Sequence, residues 1–405
     1  MKILISAYAC SPYRGSEPGM GWNFVNSISQ FNVVHVITEK DGFEKDIKSY
    51  LQQNPAVKNI KFHYIRRNHY PILKKIWPPS YYWFYRKWQQ RVYKMALKLD
   101  EQENFDIFHQ LNMTGFREPG FLWKINKPFV WGPIGGMGIS PWKFLPKLGM
   151  KGLFYYGIRN IINIYQIRYH KRPQKAATHF KNALIAATPE TSVTIKKIWG
   201  KDSTIMCEVG EEKNRNFVPS KRTNGEPLKI IWSGIHTPGK NLGLLLDTLR
   251  TADFPFELHV LGKGEMTKKW IKKAQKLKIH KFCKWYGWLN KEDAINVMKE
   301  GHVFCITSIL DLTATVTLEA LSYGLPIISL DHCGFSHVIN EKCGIKIPVD
   351  SPQNATLNFN LALKKLNDDE GYRQSLSKGA INRASDFNWE SKAKQLNLIY
   401  HSLVK

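Results

Sequence analysis

Asp311 to Pro326 reads D-L-T-A-T-V-T-L-E-A-L-S-Y-G-L-P, directly behind the apolar run His302–Thr307, H-V-F-C-I-T. A short apolar run of this kind predicts a strand buried on both faces, as in a parallel sheet. Asp311 then falls in the loop at the strand's carboxyl end, where open α/β sheets take their ligands. The pattern predicts a helix over Thr317–Tyr323, which sets Glu319 in its first turns and brings a second carboxylate towards the same crevice. Between the two acids stand Thr313, Thr315 and Val316. The two hydroxyls, with the backbone N–H groups that open the helix, can cradle an anion at the positive end of the dipole. Either acid alone reads equally well as a solvated surface carboxylate. The functional reading rests on their combined spacing, with Gly324 and Pro326 leading into the next apolar run, Ile327–Leu330.

Outward from this stretch, strands alternate with helices in both directions. In the second half the predicted strands are Leu228–Ser233, Glu257–Leu261, Phe282–Tyr286 and Ile345–Pro348. In the first half they are Lys2–Ala7, Val33–Thr38, Lys61–Ile65, Phe105–His109, Pro128–Trp131, Ala183–Ala187 and Thr204–Val209. Such alternation predicts an α/β fold with parallel sheets covered by helices on both faces. A chain of 405 residues suits two domains. The polar, proline-bounded segment Pro219–Pro227 reads as the linker between them. Residues 1–218 and 228–385 are then two Rossmann-like domains, and 386–405, beginning near Phe387–Glu390, is a helix returning to the first.

Several loops follow predicted strands. Ser11–Gly21 (S-P-Y-R-G-S-E-P-G-M-G) is glycine-rich before a helix from Trp22, so that Gly15, Ser16 and Glu17 either face a ligand or form a tight turn. Ser233–Asn241 (S-G-I-H-T-P-G-K-N) precedes the apolar-periodic helix Leu242–Leu249 and puts Lys240 at a helix start, where an ammonium can neutralise a leaving diphosphate. A solvated lysine is the alternative. Gly262-Lys263-Gly264-Glu265 and Tyr286-Gly287-Trp288-Leu289 are further strand-end turns. His109 ends its predicted strand, as a general acid/base or as a core histidine bonded to backbone.

An acid, seven residues, an acid, then Ala and Gly-x-Pro resembles the nucleotide-sugar motif of the family four retaining glycosyltransferases. The resemblance covers nearly the whole chain and is densest from Leu228 to Pro348. It implies the two-Rossmann-domain, B-type architecture with the domains facing a cleft. It also implies a hexosyl transferase that moves a sugar from a UDP- or GDP-sugar to an acceptor hydroxyl, by front-face displacement and without a cofactor. By the resemblance Glu319 binds the donor's ribose, and Asp311 stands beside the donor sugar. Gly234, His236, Gly262, Thr313, Thr315 and Val316 bind the donor, Trp288 lies at the base, and Gly15, Ser16 and Glu17 face it from the first domain. Lys240, Asp311 and His109 are the expected catalytic residues. The family's first acid is usually Glu, its following loop is glycine-rich, Ile235 stands where it has a phosphate-binding arginine, and Trp131–Gly136 lacks its donor-facing histidine.

The chain carries 59 Lys and Arg against 33 Asp and Glu, a formal charge of +26, which points to a polyanion or an anionic membrane. No acid occurs between Ile47 and Leu99 or between Pro119 and Pro189. Within these spans, Arg66–Leu99 and Pro141–Arg172 interleave aromatic residues with Lys and Arg. That mixture suits a membrane interface. A basic helix surface over an aromatic core, or nucleic-acid binding, would use the same residues. No run is long enough to span a bilayer, so a peripheral place at the inner membrane face and a lipid-linked or cell-surface glycan acceptor in polysaccharide biosynthesis are expected. Six scattered cysteines fit no zinc spacing and read as core residues of a reducing cytoplasm. No Asp-x-Asp ends a strand, so no metal is expected. A sugar-nucleotide epimerase of the same fold and a non-enzymatic polyanion- or nucleic-acid-binding protein are the rival readings.

Overall fold

The computed structural model describes residues 1–67, 80–211, 217–219, 221–223 and 225–404. Contacts divide it into two compact units, one of residues 1–137, 165–210 and 389–405, the other of 138–164 and 211–388.

In the first unit, seven strands pair in parallel: β1 (Lys2–Ala7), β2 (Val33–Glu39), β3 (Ile60–Ile65), β4 (Ile107–Asn112), β5 (Phe129–Ile134), β6 (Asn182–Ala186) and β7 (Thr204–Ile205). Their order is β3-β2-β1-β4-β5-β6-β7. Every residue of β4 and of β5 is buried, β5 carrying an apolar run and β4 adding His109, Gln110 and Asn112, each hydrogen-bonded inside. The second unit repeats the plan with β8 (Leu228–Ser233), β9 (Phe256–Leu261), β10 (Cys283–Gly287), β11 (Val303–Ile306), β12 (Ile327–Leu330) and β13 (Gly344–Ile347), ordered β10-β9-β8-β11-β12-β13 and again parallel. Both are Rossmann-like, as the alternation predicts. The winding reverses between β1 and β4 in one sheet and between β8 and β11 in the other, and a reversal of this kind opens the crevice that takes a ligand.

Three boundaries differ from expectation in ways that matter for function. The helix after β1 begins at Ser16, not Trp22, so Ser16 and Glu17 lie in its first turn. Gly19 and Gly21 are there for close packing: a Cβ at Gly21 would stand 2.1 Å from the Ala9 carbonyl oxygen, and one at Gly19 2.3 Å from that of Arg14. The strand expected at Phe105–His109 runs instead over Ile107–Asn112, which moves His109 into its middle. The helix expected at Thr317–Tyr323 spans Thr315–Ser322.

The helix Trp389–Val404 belongs to the first unit, where Trp389 packs edge-on against Phe24 and Lys392 donates to the Cys207 carbonyl at 2.6 Å. All six cysteines are free, five of them buried. The two aromatic stretches differ. In the first, Ile76-Trp77-Pro78-Pro79 lies outside the described residues, while the helix Ser80–Glu103 buries Phe84, Tyr85 and Trp88 and exposes Tyr82 and Trp83. The second, expected in the first domain, divides between the units: Phe144, Leu145, Leu148 and Tyr156 join the core of the second, against Trp232 and the leucines of the helix Leu242–Leu249. In the expected linker, Ser220 and Asn224 lie outside the described residues. No helix among the described residues is long and apolar enough to cross a membrane.

Candidate functional site

The β8/β11 switch point gathers the expected residues. β8 ends at Ser233, and the chain passes Gly234 into a short turn, Pro238–Lys240, before its helix. β11 ends at Ile306, and Thr307 ties the two exits together: its hydroxyl donates to the Lys240 carbonyl at 2.8 Å and accepts from the Trp232 indole at 3.0 Å. A second tie joins the Ile309 N–H to the Gly239 carbonyl at 2.9 Å. With its backbone held twice, Lys240 projects its ammonium onto the Asp311 carboxylate in a direct ion pair. The pair is about one-fifth exposed, 23% for the lysine and 20% for the aspartate. It closes a hollow of about 10 Å³ lined by Ser233, Lys240, Thr307, Asp311, Ala314 and Val316.

Asp311 is itself fixed, its N–H donating to Cys333 Sγ at 3.2 Å and its second oxygen accepting the Leu312 N–H at 3.0 Å. The chain then turns through Ala314, at φ +63°, into the helix Thr315–Ser322. No side chain caps that helix, and of its opening N–H groups that of Thr317 is taken by the Ala314 carbonyl at 3.1 Å. Ala314 occupies a conformation that costs an L-residue about 1–3 kcal/mol, which is the physical reason for a glycine-rich loop in this motif. Thr315 is exposed and Val316 half-buried at the mouth of the hollow. Glu319, half-buried, follows them by four and three positions and so shares their face, while Thr317, Leu318, Ala320 and Leu321 point inward.

Two expected donor-binding side chains are turned away from the hollow. Thr313 is fully buried beneath the loop, packed so closely that a Cβ at Gly334 would stand 2.2 Å from its hydroxyl. His236 is fully buried among the rings of Trp232, Trp270 and Trp285, with Nδ1 2.8 Å from the Thr267 hydroxyl. Burial holds its pKa below the usual histidine value, so it does not replace the missing arginine as a cation. Its backbone instead pins the next turn, accepting the Met266 N–H at 2.9 Å. The glycines of that turn permit close approach: at Gly262, φ +102°, a Cβ would stand 2.1 Å from the Gly234 carbonyl oxygen, and at Gly264 one would stand 2.7 Å from that of His236. Trp288, 66% exposed after the left-handed Gly287, is free of the core and presents a ring at the end of β10.

In the first unit, His109 is a core residue. It is fully buried in mid-strand, Nε2–H donating to the Gly132 carbonyl at 2.9 Å and Nδ1 accepting the Tyr400 hydroxyl at 2.7 Å. Burial brings its pKa down to about 4, so it stays neutral and cannot reach a ligand. This corrects its expected catalytic place. Gly15 and Ser16 are exposed at the helix start, and Glu17 accepts the Thr114 N–H at 2.9 Å, its pKa raised by burial against that bond.

Sequence reasoning missed Thr307 and Tyr156. Tyr156 is the support of the Pro238–Lys240 turn, its hydroxyl lying where a Cβ at Gly239 would come within 2.3 Å. Only the fold brings it there, from a segment more than eighty positions upstream.

Residues 213–383, which contain this site, match the family model described as glycosyl transferases group 1. The lipopolysaccharide 1,6-galactosyltransferase of Escherichia coli strain K12 is 30% identical over 138 residues, 32% of this chain and 37% of that protein. The three curated relatives are each matched over only 25% to 37% of their own length. Among solved structures, the apo form of the lipopolysaccharide outer core galactosyltransferase WaaB superposes with a TM-score of 0.69 at 17% identity over 99% of both chains. Anabaena Alr3699/HepE in complex with UDP superposes at 0.63 and 14%, over 99% of this chain and 100% of that one. These likenesses carry the fold, and the family model spans the segment that holds the β8/β11 switch point. Two parallel sheets of Rossmann order, with the acid-x7-acid loop at the second switch point, thus accompany a stretch, residues 213–383, that is similar to the group 1 glycosyl transferases.

Proposed function

We propose that the chain is a retaining, metal-independent glycosyltransferase that binds a nucleotide diphosphate sugar at the β8/β11 switch point and passes the sugar to an acceptor hydroxyl. The observation that carries this is the Lys240–Asp311 pair beside an uncapped helix start. An ammonium and the opening backbone N–H groups of a helix at one switch point suit a diphosphate, and both strengthen their hold as negative charge grows on the leaving group. In this reading the arriving phosphate takes Lys240 from Asp311, which frees the carboxylate beside the donor sugar. Thr315 and Val316 offer backbone donors, Glu319 accepts from the ribose hydroxyls, and Trp288 stacks on the base. Gly234 and Gly262 let the two strand-end turns close on each other behind Lys240, and the first unit takes the acceptor. The UDP complex of Alr3699/HepE favours uridine over guanosine as the base. The galactosyltransferase acting on lipopolysaccharide supports a lipid-borne glycan acceptor at the inner face of the membrane.

The test is a thermal-shift series on the purified chain with UDP, GDP and ADP. A ligand at about a hundred times its Kd raises stability by about 2.7 kcal/mol, so UDP is expected to raise the melting temperature by several degrees. No shift with any of the three nucleotides sinks the donor reading. Retention is checked on the product, where an inverted anomeric centre would remove it.

A further inference from the structure

The helix Gly149–Tyr169 buries two amide side chains between the inward Tyr156 and Ile167 while it shows a row of apolar side chains to the outside. Its inward face carries Asn160 and Asn163, both fully buried. The Asn160 amide clamps the backbone of Ser140, accepting its N–H at 3.0 Å and donating to its carbonyl at 2.8 Å, and Asn163 donates to the Gly138 carbonyl at 3.1 Å. Its outward face carries Phe154, Tyr155, Ile158, Ile161 and Ile162, each 47% to 64% exposed, and Trp142, half exposed, extends the patch beside Gly157. A water-facing helix normally has the reverse arrangement. A contiguous apolar face of this kind marks a docking surface.

The charge around the face selects its occupant. Lys143, Lys147 and Lys151 are exposed at its leading end, and no Asp or Glu occurs from Pro119 to Pro189 to pair with them along this part of the chain. Two copies meeting through one such face about a two-fold axis would bring like charges together. An acidic headgroup layer over an acyl boundary supplies both of the missing complements. We propose that this face docks on an anionic lipid surface, the helix lying in the membrane plane with its isoleucines and aromatic rings at the acyl boundary and its lysines among the headgroups. This deepens the lipid-borne acceptor reading and in that respect rests on it. The inward face of the same helix sets Tyr156 against Gly239, next to Lys240, so the docking element is also a support of the donor turn.

Flotation of the full chain with phosphatidylcholine or phosphatidylglycerol vesicles tests this without any donor. The chain is expected to partition at least about tenfold more strongly to phosphatidylglycerol, since each lysine near an anionic surface contributes about fivefold. The double substitution I158E/I161E is expected to abolish flotation with the melting temperature unchanged, and Ile158→Ser alone to weaken it if the double variant does not fold. Replacing Lys143, Lys147 and Lys151 by Gln is expected to erase the preference for phosphatidylglycerol. Equal binding to both vesicles, flotation indifferent to both isoleucine variants, or a wild-type dimer that I158E/I161E makes monomeric without any flotation would each overturn the proposal. A chain that floats but gives no shift with UDP removes the donor reading and leaves this one standing. The converse removes only this one.

Discussion

At the β1/β4 switch point of the first unit the strand exits are stitched together by side chains bonded to backbone groups. Asn112, at the end of β4, accepts the Ala9 N–H at 3.3 Å and donates to the Ala9 carbonyl at 2.7 Å, and Glu17 takes the Thr114 N–H. At the β8/β11 point of the second unit, the same place in the same strand order holds Lys240 and Asp311, partly exposed and paired with each other. A side chain that satisfies two backbone groups inside a protein cannot be released without leaving them unpaired. A partly exposed ion pair at a crevice can instead exchange its partner for another charge, because an arriving anion or water can satisfy the group that is released. The comparison teaches that the fold offers two crevices, and that the polar side chain set into each decides whether it is a seam or a site.

The largest expected effect sharpens the view of the first unit as scaffold. His109 has a folded pKa of about 4 against an ordinary value of about 6.5, so between these the unfolded chain binds a proton that the folded chain refuses. Its contribution is therefore fully present above about pH 6.5 and is lost as the pH falls towards 4, by about 3 kcal/mol from this residue alone. Denaturant titrations from neutral pH downward check this, and His109→Gln is expected to flatten the curve. If His109→Gln instead abolished turnover at neutral pH with stability intact, the scaffold reading would fail.

Next, Lys240→Ala is expected to lower turnover by about 10²-fold, as loss of a donor aimed at developing negative charge does. The shift with UDP should shrink with it, and near-normal steady-state kinetics would break the comparison. Asn112→Ala is the counterpart in the first unit. It should cost about 2 kcal/mol by leaving two buried backbone groups unpaired, with UDP affinity unchanged, as read by urea unfolding beside calorimetric binding. Glu319→Gln should weaken UDP-sugar binding by about tenfold, the worth of one charged hydrogen bond, with the fold intact. Smallest, Ala314→Gly should stabilise the second unit by about 1 kcal/mol by relieving the positive φ, visible as a modest rise in melting temperature.

Both sheets were legible because buried parallel strands are short continuous apolar runs, and several, such as Leu228–Ser233 and Ile327–Leu330, stand where periodicity puts them. The loop after β11 was legible too, since a strand end, a turn and a helix start place Asp311, Val316 and Glu319 by local geometry alone. His109 was not. The extent of its strand depends on pairing with β1 and β5, and its neutrality on burial in a core where Tyr400, 291 positions away, is its hydrogen-bond partner. His236 and Thr313 fit the linear motif, but rotamer and packing turned them inward.

What the sequence determined by itself was therefore everything carried by neighbours along the chain: the order of strands, the two Rossmann-like units, and the turn that puts Lys240 at a helix start. Only the tertiary structure decided which polar side chain faces water and which satisfies a buried backbone group. It alone brought Tyr156 beneath Gly239, and it alone turned Ile158, Ile161 and Ile162 outward and Asn160 and Asn163 in. The physical reason is that burial and hydrogen-bond satisfaction are set by partners distant in sequence. The same asparagine or histidine is ligand or girder according to what packs on it.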